Sequence, residues 1–370
     1  MNNNNSTYKR LGDYIREVDV RNTNNEVNLS QGICNQKYFQ NPRQVSATPH
    51  LDKIVRKGQF AYNRATTRNG NKISIAYREG EDCTVSSAYC VFYIVDEEKL
   101  NPYYLWLWFK RPDFDRYAIF MSHGSAHEFF EFETLCNTYL PVPSIEEQRR
   151  IVTRYQTIQN RIENNKQTIA KLEEAAQALY RKMFVDGIDV ENLPEGWRMG
   201  CLGEVAEYYN KKINTSSLSN KTYISTENLL KDKKGITTID SVPEGRCNEF
   251  KKNMVLLSNI RPYFKKLWKA TFDGGCSADV LCFVSKNGIP SDFLYYTMAE
   301  DSFFDHVVSG SNGVKMPRGD KEWTLKYPMI IPVSDCLNDF QEKVKSLVSY
   351  SRKITLENEK LSEMLSVVMA

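Results

Sequence analysis

The sequence has no CxxC pair, no long apolar run and no large excess of either charge, and each absence excludes something. Nine cysteines are scattered through 370 residues. Cys83 with Cys90 and Cys276 with Cys282 lie near one another, but neither spacing is that of a zinc knuckle. Unclustered thiols in an odd number suit a reducing compartment. No stretch approaches the roughly 18 apolar residues of a membrane helix. The opening MNNNNSTYKR has no apolar segment of the secretory kind, so we expect a cytoplasmic protein with no membrane association. A formal net charge of +3 and a pI near 8.2 do not by themselves announce a nucleic-acid binder.

Signatures of catalysis are also missing. His50, His123, His127 and His306 show no metal-ligand pattern, and Gly124 between His123 and His127 argues for a loop. There is no GxSxG, no Walker A loop and no carboxylate pair with a usable spacing. Asn101-Pro102-Tyr103-Tyr104 approximates the Asn-Pro-Pro-Tyr motif of amino-methyltransferases but lacks the second proline and a glycine-rich loop upstream. An ordinary helix start is expected there, because Pro290-Ser291-Asp292-Phe293 fills the equivalent place without the motif. A chain with no catalytic residues and no metal site follows.

What the chain does contain is a repeat. Leu11-Gly12-Asp13 returns as Leu202-Gly203-Glu204, and Tyr104-Leu105-Trp106 as Phe293-Leu294-Tyr295. His123-Gly124-Ser125 returns as Asn312-Gly313-Val314, and Tyr62-Asn63-Arg64 is matched by Ser258-Asn259-Ile260-Arg261. Each half then reaches a proline-containing strand, Tyr139 to Pro143 or Met329 to Val333. Five matches in one order at nearly one offset, close to 190 positions, make two copies of one domain.

A long periodic stretch closes each copy. Ile151, Tyr155, Ile158, Ile162, Asn165, Ile169, Leu172, Ala176, Leu179 and Met183 step by four and three. Phe340, Val344, Leu347, Ser351, Ile354, Asn358, Leu361, Leu365 and Val368 do the same. That alternation is a coiled-coil seam, and some 40 residues make a rod of roughly 60 Å. Ser144 with Glu147 predicts a capping box at the first helix start, and Gly187 its end. Two narrow seams in one chain pack most simply on each other, antiparallel. Asn165 and Asn358 hold equivalent seam positions, where a polar residue costs stability but fixes register; we expect them near one another.

Short strand-type runs, Cys90–Val95 and Val280–Val284, each precede a proline-initiated helix, Pro102–Lys110 and Pro290 to about Glu300. Leu193-Pro194-Glu195-Gly196-Trp197 links first helix to second domain. The class is α+β: two repeated strand-rich domains separated by two long helices packed as an antiparallel coiled coil. The expected parts are residues 1–143, the helix 144–186, the second domain 187–335 and the helix 336–370.

Pro143-Ser144-Ile145-Glu146-Glu147-Gln148-Arg149-Arg150-Ile151 resembles the central conserved region of specificity subunits of type I restriction-modification systems. Leu193–Trp197 followed by Leu202-Gly203-Glu204 resembles the entry to their second target-recognition domain. The second helix entry, Asn338-Asp339-Phe340-Gln341, keeps the glutamine but lacks the paired glutamates. The resemblance implies a non-catalytic subunit reading a bipartite double-stranded DNA target, one half-site per domain, with the helices setting the unread spacer. It implies two methyltransferase subunits, with S-adenosylmethionine bound there and no cofactor in this chain, and a restriction/translocase subunit. A recognition subunit of a related type II fused restriction-methylation system, or a coiled-coil scaffold with two protein-binding heads, would share the pattern.

Base and phosphate contacts need Arg, Lys, Asn, Ser or Thr on loops. The first domain offers Asn63, Arg64, Thr66, Thr67, Arg68, Asn69 and Lys72, and in a second loop Ser122, His123 and Ser125. The second domain offers Ser258, Asn259, Arg261, Lys265 and Lys266, and Ser311, Asn312 and Lys315, with glycines permitting a tight approach. Lys37, Lys211 and Lys212 complete the candidates.

Overall fold

The computed structural model describes residues 8–42, 44, 48–65, 72–122, 129–286 and 288–369. It divides into two compact units, Met1–Asn164 with Glu357–Ala370, and Asn165–Leu356. This division differs from the expected boundaries, because each long helix is shared between the units rather than forming a part of its own.

The repeat is carried by sheets of matching strand order. In the first unit a four-stranded antiparallel sheet runs Ile15–Val18, Tyr89–Ile94, Phe60–Asn63, Ile75–Tyr77. In the second the same order is made by Ala206–Tyr208, Val280–Ser285, Val255–Ser258 and Leu267–Lys269. Phe60 faces Phe92 across the first sheet and Val255 faces Phe283 across the second. Alternation sorts these strands onto two buried faces. Phe60 and Tyr62 enter a large aromatic core with Phe92, Phe109, Phe114 and Phe130, while Ala61 joins a smaller cluster with Val55, Val85 and Val91. Val255 and Leu257 likewise meet Phe293, Phe303 and Phe304, and Leu256 packs with Phe250 and Trp268.

Three helices follow each sheet: Pro102–Phe109, Pro112–Ser122 and Phe132–Cys136, then Ser291–Met298, Asp301–Ser309 and Lys321–Leu325. Asn101 is the ordinary helix cap expected of it, its side chain accepting from the Tyr104 N–H at 3.1 Å. The proline-containing strands Tyr139–Pro141 and Pro328–Ile331 pair antiparallel with Tyr8–Arg10 and Arg198–Cys201.

The two long helices span Ile145–Phe184 and Ser334–Met369, the second starting two residues before the predicted 336. They run antiparallel within each unit. In the first, Val152 and Tyr155 share a core with Leu365 and Val368, and Arg161 pairs with Glu357 at 2.8 Å. In the second, Tyr180 and Phe184 pack on Phe340 and Val344. Gln148 explains the Glu-Glu-Gln entry motif. Fully buried, it accepts from the Asn101 N–H at 2.8 Å and donates to the carbonyls of Lys99 and Pro143 at 3.0 and 2.9 Å. It thereby pins the helix start to the turn that begins Pro102–Phe109.

The predicted capping box is only half formed. Ser144 Oγ accepts a long 3.4 Å bond from the Glu147 N–H, but the Glu147 carboxylate binds Arg150 instead of returning to the cap. A full box sits at Cys201, whose N–H donates to Glu204 at 2.9 Å. Among the described residues no helix is long and apolar enough to cross a membrane.

Candidate nucleic-acid interface

The interface candidates gather where the third strand of each sheet ends. In the first unit Asn63 is the last residue of Phe60–Asn63, and its Oδ1 accepts from the Ala65 N–H at 3.1 Å, turning the chain. The Arg64 carbonyl then accepts from the Phe130 N–H at 2.9 Å, and Ala65 forms an isolated bridge with Phe129. The ends of the two predicted loops therefore meet. The Arg64 guanidinium, 39% exposed, is loosely tethered: 3.4 Å from Glu131, 3.3 Å from the Ala88 carbonyl and 5.9 Å from the Phe129 ring. Contacts this long and exposed contribute little, so the side chain can be recruited by a ligand. Lys72 is exposed. Thr66, Thr67, Arg68, Asn69, His123 and Ser125 lie outside the described residues.

The second unit repeats the backbone bond and the bridge of this junction. The Asn259 carbonyl accepts from the Gly319 N–H at 3.1 Å, and Ile260 bridges Arg318. Hence Arg64 corresponds to Asn259, and Arg261 falls two residues further on, a shift from the sequence match of Arg64 to Arg261. Arg261 is left-handed (φ 50°); its N–H donates to the Pro317 carbonyl at 2.8 Å. The loop it braces is closed by reciprocal 2.9 Å bonds between Asn312 and Arg318, with Gly313 at φ 103°. Lys315 and Asn312 are exposed, while the Ser311 hydroxyl donates back to Val308 at 2.7 Å. Among the described residues, Asn259 Oδ1 and Arg261 Nε are buried without a protein hydrogen-bond partner, which leaves both polar atoms able to take a further bond.

Several predicted contacts turn inward. Lys37 is buried, its ammonium 2.7 Å from Asp115 and donating to the Phe109 carbonyl. Burial pushes its pKa down, and Asp115 opposes that shift. Lys37 is a post inside the first unit and not a surface cation. Ser122 is no loop residue: buried, it ends the helix Pro112–Ser122 and donates to the Ala118 carbonyl. Ser258 is buried and donates to Ile260 at 3.2 Å. Lys266 reaches the Thr226 carbonyl, and Lys265 pairs with Asp301 at 2.8 Å. Lys211 and Lys212 stay exposed at the start of another strand, Lys212–Asn214, with Lys212 bonding Asn248 and Lys211 lying 5.8 Å from the Tyr209 ring. In the long helices Asn165 is buried at 4% exposure, and Asn358 Nδ2 donates to the Ile162 carbonyl at 3.4 Å.

Sequence reasoning missed Arg318, which pairs with Asp279 at 3.1 Å beside Arg261, and the lysines of the turn 231–234. The signal for the latter was the run Lys231-Asp232-Lys233-Lys234 before Gly235. Among the described residues no group of three or more His, Cys, Asp or Glu is placed to hold a metal.

Residues 3–174 match the family model described as the type I restriction modification DNA specificity domain. The Escherichia coli type I restriction enzyme EcoDI specificity subunit is 26% identical over 171 residues, 45% of this chain and 38% of that protein. The Methanocaldococcus jannaschii type I restriction enzyme MjaIX specificity subunit is 28% identical over 124 residues, 30% of this chain and 29% of that protein. The aligned stretches thus span well under two thirds of these relatives' own lengths. The crystal structure of a type I restriction-modification system S subunit from M. genitalium superposes with a TM-score of 0.57 at 12% identity, covering 100% of this chain and 97% of that one.

Proposed function

We propose, from the match of residues 3–174 to the type I restriction modification DNA specificity domain and the likeness to type I specificity subunits, that this chain is the DNA-reading, non-catalytic member of such a complex. Each repeated domain reads one half of a split target in double-stranded DNA. The observation that carries this is the doubled junction. The same strand end and the same returning loop occur twice, at Arg64 with Phe130 and at Asn259 with Gly319, each beside arginines able to reach base edges or phosphates. Arginine bidentate to guanine and asparagine to adenine are the pairings such donors favour.

Two readers in one chain bind tightly only when both half-sites are present at a fitting spacing. The long helices set the number of unread base pairs, and the seam residues Asn165 and Asn358 fix their register. Arg64 and Lys72, with Thr66, Thr67, Arg68, Asn69, His123 and Ser125, serve the first half-site. Asn259, Arg261, Asn312, Lys315 and Arg318 serve the second. Two methyltransferase subunits carrying S-adenosylmethionine, and a restriction/translocase subunit, supply the chemistry in the cytoplasm.

The test is selection of binding sites from a randomised duplex library by the chain co-purified with a methyltransferase subunit. Enrichment of two short defined blocks separated by a fixed unread interval is expected. A single block, or no enrichment with no salt-dependent binding, overturns the reading and leaves the protein-binding scaffold.

A further inference from the structure

We infer that the turn 231–234 of the second domain is a phosphate-holding site, with Lys231 and Lys234 touching the DNA backbone and Lys233 as its structural post. The inference rests on the DNA-reading function and divides the second domain into a base-reading loop and a backbone-holding loop.

Strain and charge coincide here. Asp232 and Lys233 are consecutive left-handed residues (φ 55° and 60°), and Arg261 and Lys265 are left-handed on either side of the short turn Pro262–Phe264 (φ 50° and 49°). Left-handed backbone in non-glycine residues is uncommon, and four instances in one place are retained only where the surroundings impose them. What imposes them is a set of bonds between the two turns. The Lys233 N–H donates to the Lys265 carbonyl at 2.9 Å, and the ammonium groups of Lys233 and Lys265 share Asp301 at 3.6 and 2.8 Å. The Lys231 ammonium stands 3.9 Å from the centre of the Phe264 ring.

Lys233 has a counterpart in the first domain that clarifies its role. Lys37 is also left-handed (φ 67°), donates to the Phe109 carbonyl at the end of Pro102–Phe109, and pairs with Asp115. Lys233 donates at 2.9 Å to the Ala299 carbonyl just beyond Ser291–Met298, and pairs with Asp301. Both lysines tie a turn to a helix end. The flanks differ: Lys37 sits among Asn35, Gln36 and Tyr38, whereas Lys233 sits between Lys231 and Lys234, both exposed. The post is shared by the fold, and the exposed cations are added only in the second domain.

The charges do not balance locally. Lys231, Lys233, Lys234, Lys265 and Lys266 lie on or beside these two turns, Asp301 is already engaged by two of them, and Glu227 acts on Lys266. Burial, with Lys231 nearby, pushes the Lys266 pKa down. Cations held together at such a cost are a ready site for an anion. Arg261, which braces the base-reading loop, immediately precedes Pro262–Phe264, so backbone and base contacts would fall on neighbouring nucleotides.

The experiment measures binding of the full chain, with its methyltransferase partner, to two unrelated duplexes between 50 and 300 mM KCl. Removing one phosphate-binding cation lowers the slope of log affinity against log salt by about 0.9. Lys231→Gln/Lys234→Gln is expected to lower it by about 1.8 on both duplexes equally, and Lys234→Gln alone by about 0.9, with unchanged melting temperatures. An unchanged slope in a folded variant overturns the site, as does a loss confined to the duplex carrying the target. A wild-type complex without salt-dependent binding overturns the DNA-reading function itself.

Discussion

At the scale of single residues, Lys110 shows how burial sets the behaviour of a charge. Its ammonium lies 4.1 Å from the Trp106 ring centre and 4.4 Å from that of Tyr38, and donates to the hydroxyls of Tyr38 and Tyr155 at 2.6 and 3.2 Å. Burial, aided by Lys37, pushes its pKa down to about 8. Below about pH 8 Lys110 is charged whether the chain is folded or not, and the burial penalty stands in full. Between about 8 and 10.5 the unfolded chain keeps the proton that the folded one has released, so this position adds stability as pH rises. Tyr155, its phenol pushed up to about 12, works in the opposite sense above pH 10. Thermal melts of wild type and Lys110→Met should therefore diverge in favour of wild type between pH 7 and 9.5. A difference independent of pH would mean that the ammonium is solvated. The same burial hides single residues from a reading of the sequence. Lys37, Ser122 and Ser258 have residue types that make good surface donors. Each lies inside instead, its donors held by carbonyls of its own unit. Nothing in a local pattern distinguishes a lysine facing water from one facing a buried aspartate 78 positions away.

At the scale of elements, one buried amide holds the start of the first long helix. Gln148→Ala leaves an N–H and two carbonyls unpaired inside the first unit, and we expect a loss of about 3 kcal/mol in denaturant unfolding. Gln148→Glu should lose at least as much near neutral pH, since it places a carboxylate against two carbonyls. A loss under 1 kcal/mol for Gln148→Ala would show that water replaces the side chain. Most of the architecture at this scale was legible in the sequence. The three-and-four alternation made both long helices legible, because a seam must repeat to stay buried, and its first residues, Ile151 and Phe340, lie within the first two turns of Ile145–Phe184 and Ser334–Met369. The proline-led helices and proline-containing strands were legible because proline fixes its own backbone. The full capping box at Ser144 was not to be had, since Glu147 has Arg150 as a competing partner that an i, i+3 count at the cap overlooks. The role of Gln148 was equally hidden, because its partners come from a turn some 47 positions upstream.

At the scale of the whole molecule, duplication is the dominant fact. Two sheets of the same strand order, two sets of three helices and two matching strand-end junctions make two copies of one domain, each with its own core. Five short matches made the repeat visible, but not its register at the junction. Arg64 aligns with Asn259, and the apparent match to Arg261 came from counting through loops of different length. The basic turn at 231–234 escaped because the corresponding stretch of the first domain, around Lys37, keeps the post but not the flanking lysines. If the proposed function holds, differences between the copies allow the two halves of a split target to differ, since two identical readers would recognise identical halves.

The central claim is that each domain specifies one half-site independently. The most direct measurement is a map of methylated sites across a genome after co-expression of a methyltransferase subunit with wild type, Arg64→Ala or Arg261→Ala. We predict a split motif for wild type, relaxation of one half only with Arg64→Ala, and relaxation of the other half only with Arg261→Ala. Either substitution altering both halves, or neither substitution altering any base, would contradict the account.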